Sequence, residues 1–200
     1  MKPFKPRSIL TQMEASPCLC SKCRETFHPH FRRWVVDGVP CLSLYRYGDG
    51  LRSVIYQYKG CGDIELKSVF LEHIGRYLKI RFKGYVVVPC PSHESHNVAR
   101  GFNHVESIFE SLSLPMVKAL RKTEDIKQSS QTKEGRKNIG KYLEITSKTH
   151  IKGKKILLVD DIYTTGSTIK ACIGLLKGAG AKTIRVLVIA KTPKKGDEGL

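Results

Sequence analysis

One segment, residues 156–168, constrains the fold of this chain more than any other. It reads Ile-Leu-Leu-Val-Asp-Asp-Ile-Tyr-Thr-Thr-Gly-Ser-Thr. Its four leading apolar residues are typical of a strand that is buried on both faces of a parallel sheet. Two carboxylates, Asp160 and Asp161, end that strand, and a hydroxyl-rich turn then leads into a helical pattern. Because open α/β sheets bind ligands at the carboxyl ends of their strands, we expect a ligand site here.

The turn after the two carboxylates has the composition of an anion site. It consists of Thr164, Thr165, Gly166, Ser167 and Thr168. The first N–H groups of a helix lack intrahelical partners, and the helix dipole favours negative charge there, so the turn is suited to phosphate. The carboxylates suit sugar hydroxyls or a hydrated Mg²⁺. The alternative is an ordinary turn with a capping hydroxyl, but capping requires neither two acids nor so many hydroxyls. The spacing fits neither a Walker A loop nor a dinucleotide-binding fingerprint.

The remaining apolar patterns alternate between strands and helices. Strands are predicted at residues 41–47, 85–88, 116–120, 156–159 and 184–190, and helices at 65–79, 102–112 and 169–176. Residues 51–59 are ambiguous between the two. This alternation predicts an α/β fold with a doubly wound, mostly parallel sheet.

The charge of the chain is the most unusual property of its composition. It has 35 Lys and Arg against 18 Asp and Glu, a formal net charge of +17. Such an excess favours polyanionic partners, either nucleic acid or phosphorylated substrates, although a generally basic, solvated surface is the alternative. There is no signal-peptide pattern and no apolar run near the roughly 20 residues that span a membrane. The odd number of cysteines, seven, favours a reducing compartment, so we expect a cytoplasmic protein.

Residues 1–40 differ from the rest because they show little strand or helix periodicity. We predict a cysteine-containing N-terminal appendage there, a globular domain over 41–191 and a polar tail over 192–200. Three aromatic residues could form a small core of the appendage: Phe27, Phe31 and Trp34.

The appendage contains one Cys-x-x-Cys pair, Cys20 and Cys23. A tetrahedral zinc site needs four ligands. The other candidates are Cys18, His28, His30 and Cys41. None of these spacings is standard, so zinc and simply reduced thiols both stay open.

Two further loops are candidates for binding an anion. Ser92 and His93 follow the strand predicted at 85–88, and Arg100 lies near the start of the next helix. A positive charge at a helix start opposes the dipole preference, which favours an anion close to Arg100. The second loop, residues 127–138, is polar and basic and includes Gln128, Arg136 and Asn138. Long polar loops often close over ligands, but a solvated linker is the alternative.

Five motifs, in their order along the chain, resemble those of the ComF family of type I phosphoribosyltransferase-like proteins. They are Tyr-Lys-Gly-x-Gly-Asp (58–63), Val-Pro-x-Pro (88–91), Arg-Gly-Phe-Asn (100–103), Lys-Gln-Ser-Ser-x-Thr (127–132) and Leu-Val-Asp-Asp-Ile-Tyr-Thr-Thr-Gly-Ser-Thr (158–168). The resemblance covers residues 41–191 and implies the type I phosphoribosyltransferase fold. Members usually begin with a zinc module of several Cys-x-x-Cys pairs, and this chain departs from that pattern.

The resemblance also implies a ligand, phosphoribosyl pyrophosphate with Mg²⁺. Asp160 and Asp161 would then hold the ribose hydroxyls, and the turn 164–168 would hold the 5′-phosphate. The pyrophosphate would contact residues of the two further loops, namely Ser92, His93, Arg100, Gln128 and Arg136.

Three functions are consistent with these observations. The first is an active transferase that moves the phosphoribosyl group to an unknown acceptor and releases pyrophosphate. The second, which the family resemblance implies and which we favour, is a ligand-binding protein of DNA uptake in natural competence, with single-stranded DNA and a competence helicase as partners. The third is a docking protein that has lost its ligand, and the intact segment 156–168 argues against it.

Overall fold

A computed structural model of the chain describes residues 27, 29–92, 97–98, 100–123 and 142–193. The strands are β1 (Arg32–Val36), β2 (Val39–Arg46), β3 (Tyr85–Pro89), β4 (Leu120–Lys122), β5 (Leu143–Ile145), β6 (Lys155–Tyr163) and β7 (Thr183–Lys191). The helices are α1 (Asp49–Gly60), α2 (Gly75–Arg81), α3 (His104–Glu110) and α4 (Ser167–Gly178), with a 3-10 helix at Ile64–Phe70.

A five-stranded sheet in the order β1-β2-β7-β6-β3 forms the centre of the fold. Strands β2, β7, β6 and β3 are parallel, and only β1 runs antiparallel to its neighbour. The short strands β4 and β5 form a separate antiparallel pair. The predicted α/β class with a mostly parallel sheet is therefore confirmed.

Helices cover both faces of the sheet, so strand residues are buried on alternate sides. On one face, Leu157 and Val159 of β6 belong to a core that includes residues of α1, α2 and α3. On the other face, Ile156 and Leu158 pack with Cys172, Ile173 and Leu176 of α4. This two-sided burial explains why β6 is a continuous apolar run rather than an alternating one.

The predicted single helix over residues 65–79 is wrong. The structure has the 3-10 helix 64–70, a turn, and then α2, which begins at Gly75. Most of the predicted apolar face is buried, but its Tyr77 is 47% exposed. Glycine is a poor helix former and does not favour a continuous helix there. The strand predicted at 116–120 is limited to one bridge between Met116 and Val87 and to Leu120, the first residue of β4. The ambiguous segment 51–59 is helical and belongs to α1.

Phe27 and Trp34 pack against the main domain rather than in a core of their own. Phe27 is buried, with its ring 5.6 Å from that of Tyr45 in the main core. Trp34 lies edge-on to Tyr163 at 5.1 Å. Strand β1 also precedes residue 41 and pairs with β2 through a two-residue turn. The division at residues 40 and 41 stays a prediction, but the sheet extends across it. Within the described ranges, no helix has the length and apolar character needed to cross a membrane.

Candidate functional site

The turn between β6 and α4 lies at the carboxyl edge of the parallel strands. Gly166 directly precedes α4 and has a φ of +78°, a backbone conformation that glycine adopts without strain. A side-chain carbon at this position would overlap the Tyr163 hydroxyl, so the position needs glycine for space as well. Thr165 Oγ1 lies 3.0 Å from Ser167 Oγ. The whole turn, residues 164–168, lines one cleft together with Asp160.

Asp160 and Asp161 lie at the same edge but on opposite faces of the sheet. Strand β6 continues to Tyr163, and successive side chains of a strand point to opposite faces. Asp160 lines the cleft of the turn, whereas Asp161 is only 6% exposed and packs on the face covered by α1 and α3. The sequence predicted that both carboxylates would meet the same ribose. The structure brings only Asp160 together with the turn.

Three basic side chains surround Asp161, and we call these four residues the Asp161 cluster. Lys59, at the end of α1, forms an ion pair with Asp161 Oδ2, and His104 Nε2 lies 3.2 Å from the same oxygen. Arg100 holds both partners, since its Nη1 donates to His104 Nδ1 at 3.0 Å and its Nε donates to the Lys59 carbonyl at 2.8 Å. The Tyr58 hydroxyl donates to the His104 carbonyl at 2.8 Å. The cluster therefore fixes α1 and α3 to the carboxyl end of β6.

Burial shifts the pKa values of two groups at this edge, Asp160 and Lys59. Desolvation raises the pKa of Asp160 to about 6, although the positive charges of Lys59 and Lys122 and a hydrogen bond from Cys90 oppose the shift. Desolvation also lowers the pKa of Lys59 to about 8, with Asp160 opposing the shift and Arg100 adding to it. Lys59 thus interacts with both carboxylates. Perturbed pairs of this kind are frequent at functional sites.

A second cleft of about 250 Å³ begins beside Asp160. Cys90 lines it and also hydrogen-bonds to Asp160, so the two clefts adjoin. Its polar lining comes from the end of β3, from α3 and from β4, and includes Ser92, Asn97, Glu106, Lys118, Arg121 and Lys122. Ser92 donates to Asn97 Oδ1 at 2.8 Å, and Lys118 pairs with Glu106 at 2.6 Å. The lining has three cations and one acid, and one of the cations, Arg121, also pairs with Glu144. This excess of positive charge suits the cleft to an anion.

The predicted pyrophosphate residues have different locations. Ser92 lines the second cleft, whereas Arg100 belongs to the Asp161 cluster. The other predicted loop residues lie outside the described residues: His93, Gln128, Arg136 and Asn138.

The predicted zinc ligands Cys18, Cys20, Cys23 and His28 also lie outside the described residues. Cys41 is described and is buried in β2, where desolvation raises the pKa of its thiol to about 11. In the described part of the chain, no group of three or more His, Cys, Asp or Glu side chains could hold a metal ion.

Sequence reasoning missed two residues of the site, Lys59 and His104. The sequence indicates each of them only weakly, since Lys59 lies in the Tyr-Lys-Gly motif and His104 directly follows Arg-Gly-Phe-Asn. No local pattern could show that these motifs meet at Asp161, because the contacts join segments that are far apart in the chain.

Comparison with known proteins identifies the family. Residues 71–199 match the phosphoribosyl transferase domain family. Competence protein ComFC of Streptococcus pneumoniae is 31% identical over 206 residues, which cover 92% of each chain. Competence protein ComFC of Bacillus subtilis is 30% identical over 129 residues, which cover 64% of this chain and 53% of that protein. A hypoxanthine phosphoribosyltransferase from Staphylococcus aureus superposes over 64% of this chain and 74% of its own, with TM-score 0.39 and 12% identity. The chain belongs to the ComF family and carries a phosphoribosyl transferase domain.

Proposed function

We propose that this protein binds phosphoribosyl pyrophosphate together with Mg²⁺ at the carboxyl edge of its sheet. One observation supports this most strongly. A carboxylate, Asp160, faces a cleft whose opposite wall is a left-handed glycine turn that opens a helix of 12 residues. The turn offers N–H groups and hydroxyls to a phosphate, and the carboxylate offers oxygen to sugar hydroxyls or to a hydrated cation.

The two adjoining clefts suggest where each part of this ligand would bind. The turn 164–168 would hold the 5′-phosphate and Asp160 the ribose. The pyrophosphate would extend into the second cleft, towards Ser92 and Lys122. Asp161 would act indirectly, by holding Lys59 beside Asp160. Four further residues remain predicted contacts of the pyrophosphate: His93, Arg100, Gln128 and Arg136.

The residues present fit a cation as well as the sugar phosphate. Asp160 carries the one carboxylate in the cleft of the turn, which suits Mg²⁺ because this ion keeps several waters and takes few protein oxygens. When bound, Mg²⁺ would neutralise part of the pyrophosphate charge. The chain itself would contribute the cations of the second cleft and the N–H groups of the turn.

Isothermal titration calorimetry with phosphoribosyl pyrophosphate and Mg²⁺ tests the proposal. We expect binding by the wild type and a large loss of affinity in Asp160→Asn. Asp37→Asn is a matched control, because Asp37 is an exposed carboxylate in the turn between β1 and β2. If the wild type does not bind, or if both variants bind equally well, the proposed ligand site is wrong.

We further propose a role in DNA uptake during natural competence, with single-stranded DNA and a competence helicase as partners. The similarity to two ComFC proteins and the net charge of +17 support this role. Binding to phosphates would make log affinity fall linearly with log salt concentration. A flat salt dependence would contradict the DNA role and leave the ligand proposal intact.

Active transfer is the alternative function. An acceptor nitrogen would form a bond to the ribose C1′ while the bond from C1′ to the pyrophosphate oxygen breaks, and the cationic cleft would stabilise the leaving pyrophosphate. The protein would accelerate this transfer by positioning the reactants and by stabilising the developing charge, rather than by proton transfer from a side chain. Pyrophosphate release across a panel of nucleobases distinguishes the alternatives, since binding without release favours the competence role.

Zinc at Cys20 and Cys23 is a further prediction. Metal analysis of the purified protein tests it, with Cys20→Ser as the matched variant. One zinc per chain in the wild type and less in the variant would support it. Sub-stoichiometric zinc in the wild type would favour reduced thiols.

A further inference from the structure

A groove of about 430 Å³ lies at the other end of the sheet from the Asp160 cleft. It is lined by residues of β1, by residues near the amino ends of β2 and β7, and by residues at the end of α2. Arg185 stands in register with Leu157 of β6, whereas Asp160 lies three residues further along that strand and on the opposite face. The groove is therefore a different cavity from the proposed ligand site, and the two linings meet where Trp34 of the groove contacts Tyr163 of the cleft.

Three arginines line this groove: Arg33, Arg81 and Arg185. None of the described residues that line it is acidic. The floor is apolar and includes Leu42 and Phe82. A groove with this lining favours an anionic partner that also presents apolar surface.

Exposed aromatic rings continue the surface beyond the groove. Phe31 is 43% exposed and Tyr77 is 47% exposed, and their ring centroids are 5.8 Å apart. Arg81 connects the pair to the groove, because its Nη1 donates to the Tyr77 hydroxyl at 3.1 Å and its guanidinium lies 6.0 Å from the Tyr77 ring. We call Phe31, Arg33, Tyr77, Arg81 and Arg185 the arginine–aromatic strip.

We propose that the arginine–aromatic strip binds single-stranded DNA, an inference that rests on the proposed role in DNA uptake. Arginines along a groove would contact successive phosphates, and exposed rings would stack on unpaired bases. A duplex keeps its base faces stacked inside, so the rings favour a single strand. An acidic protein segment would satisfy the arginines but would have no particular need for the two rings.

The charge part of the proposal is tested with a labelled single-stranded oligothymidylate and fluorescence anisotropy over a range of salt concentrations. We expect the triple variant Arg33→Gln/Arg81→Gln/Arg185→Gln to reduce the slope of log affinity against log salt by about 2, since each lost phosphate contact contributes about 0.7. The matched control is Lys148→Gln/Lys152→Gln/Lys154→Gln. It removes the same charge from exposed lysines that do not line the groove and should change the slope little.

The stacking part is tested with Phe31→Leu and Tyr77→Leu. Each variant keeps an apolar side chain but loses the ring, so we expect the affinity for oligothymidylate to fall about tenfold while the salt slope stays unchanged. Thermal melting of each variant checks folding. Binding of phosphoribosyl pyrophosphate should be unaffected, because the strip lies away from the Asp160 cleft.

Several outcomes would overturn the inference, and they are distinguishable from failure of the proposed function. If the wild type does not bind the oligonucleotide, the role in DNA handling fails together with the strip. If the wild type binds but the lysine control loses as much affinity as the arginine variant, only the strip is wrong. Equal competition by polyglutamate would mean that the strip recognises charge alone and fits an acidic protein better.

Discussion

Asp160 and Asp161 are neighbours at the end of β6, but their side chains have different surroundings. Asp160 faces a cleft and is desolvated without an ion pair as close as the one that Asp161 makes with Lys59. Burial of a carboxylate costs free energy unless its charge is paired. We therefore expect the same substitution at the two positions to change stability in opposite directions.

Asp160→Asn should stabilise the fold at pH 8 by about 3 kcal/mol, because a shift of one pKa unit corresponds to about 1.4 kcal/mol. The pKa is raised from the ordinary 3.8 to about 6. Between these values the folded state keeps a proton that the unfolded chain has lost, so wild-type stability falls as pH rises through this window. Urea denaturation at several pH values measures the difference. It should vanish below about pH 4, and a less stable variant at pH 8 would contradict the placement of Asp160.

Asp161→Asn should destabilise the fold at pH 7 by about 3 kcal/mol, because it leaves the partly buried Lys59 ammonium without its partner. The same urea titrations measure this change, with Asp160→Asn as the control from the neighbouring position. An unchanged midpoint would mean that the Asp161 cluster does not hold α1 and α3 to β6.

The β6–turn–α4 element depends on one glycine. Gly166→Ala would force a side chain into the left-handed conformation and against the Tyr163 hydroxyl. Strain of this kind costs on the order of 1–3 kcal/mol, and the displaced turn should also lose affinity for phosphoribosyl pyrophosphate. Thermal melting and calorimetry measure the two effects.

Gly174→Ala is the matched control within the same element. Gly174 lies in α4 with nothing within 4 Å of the added carbon, so this variant should gain about 0.5–1 kcal/mol. If both glycine variants behave alike, the turn does not need its left-handed residue.

Individual helices, strands and turns could be predicted from the sequence. The contacts that bring distant elements together at the site could not. Residues 156–168 carry strand, turn and helix signals within one short segment, so the edge of the sheet and its turn follow from local physics. Lys59 and His104 join Asp161 only after α1 and α3 pack on the sheet, and no local pattern reports that packing. The placement of Asp160 and Asp161 on opposite faces of the sheet could not be predicted either, because the apolar run did not show that β6 extends to Tyr163.

At the scale of the whole molecule, the two ends of the sheet have different chemistry. The carboxyl edge combines Asp160 with the phosphate-type turn, and the amino edge presents the arginine–aromatic strip. A ligand at one end need not displace a partner at the other. Both proposals can therefore hold at once, and each can be tested without the other.

The predicted boundary at residues 40 and 41 can be tested by truncation. A chain that begins at residue 41 loses β1 and the buried Phe27, and removal of a buried phenylalanine alone costs about 3–5 kcal/mol. We expect this chain to lose its cooperative melting transition in circular dichroism, whereas a chain that begins at residue 27 keeps it. Equal melting of the two chains would support a boundary at residue 40.

Trp34 gives this protein an optical reporter of its own. It is the single tryptophan of the chain, and its ring lies edge-on to Tyr163 at 5.1 Å, with the Lys191 ammonium 5.2 Å from the ring centroid. Tyr163 in turn lies directly beneath Gly166. Any rearrangement of the turn that moves Tyr163 should therefore change the intrinsic fluorescence of Trp34, so ligand binding can be followed in the unlabelled protein.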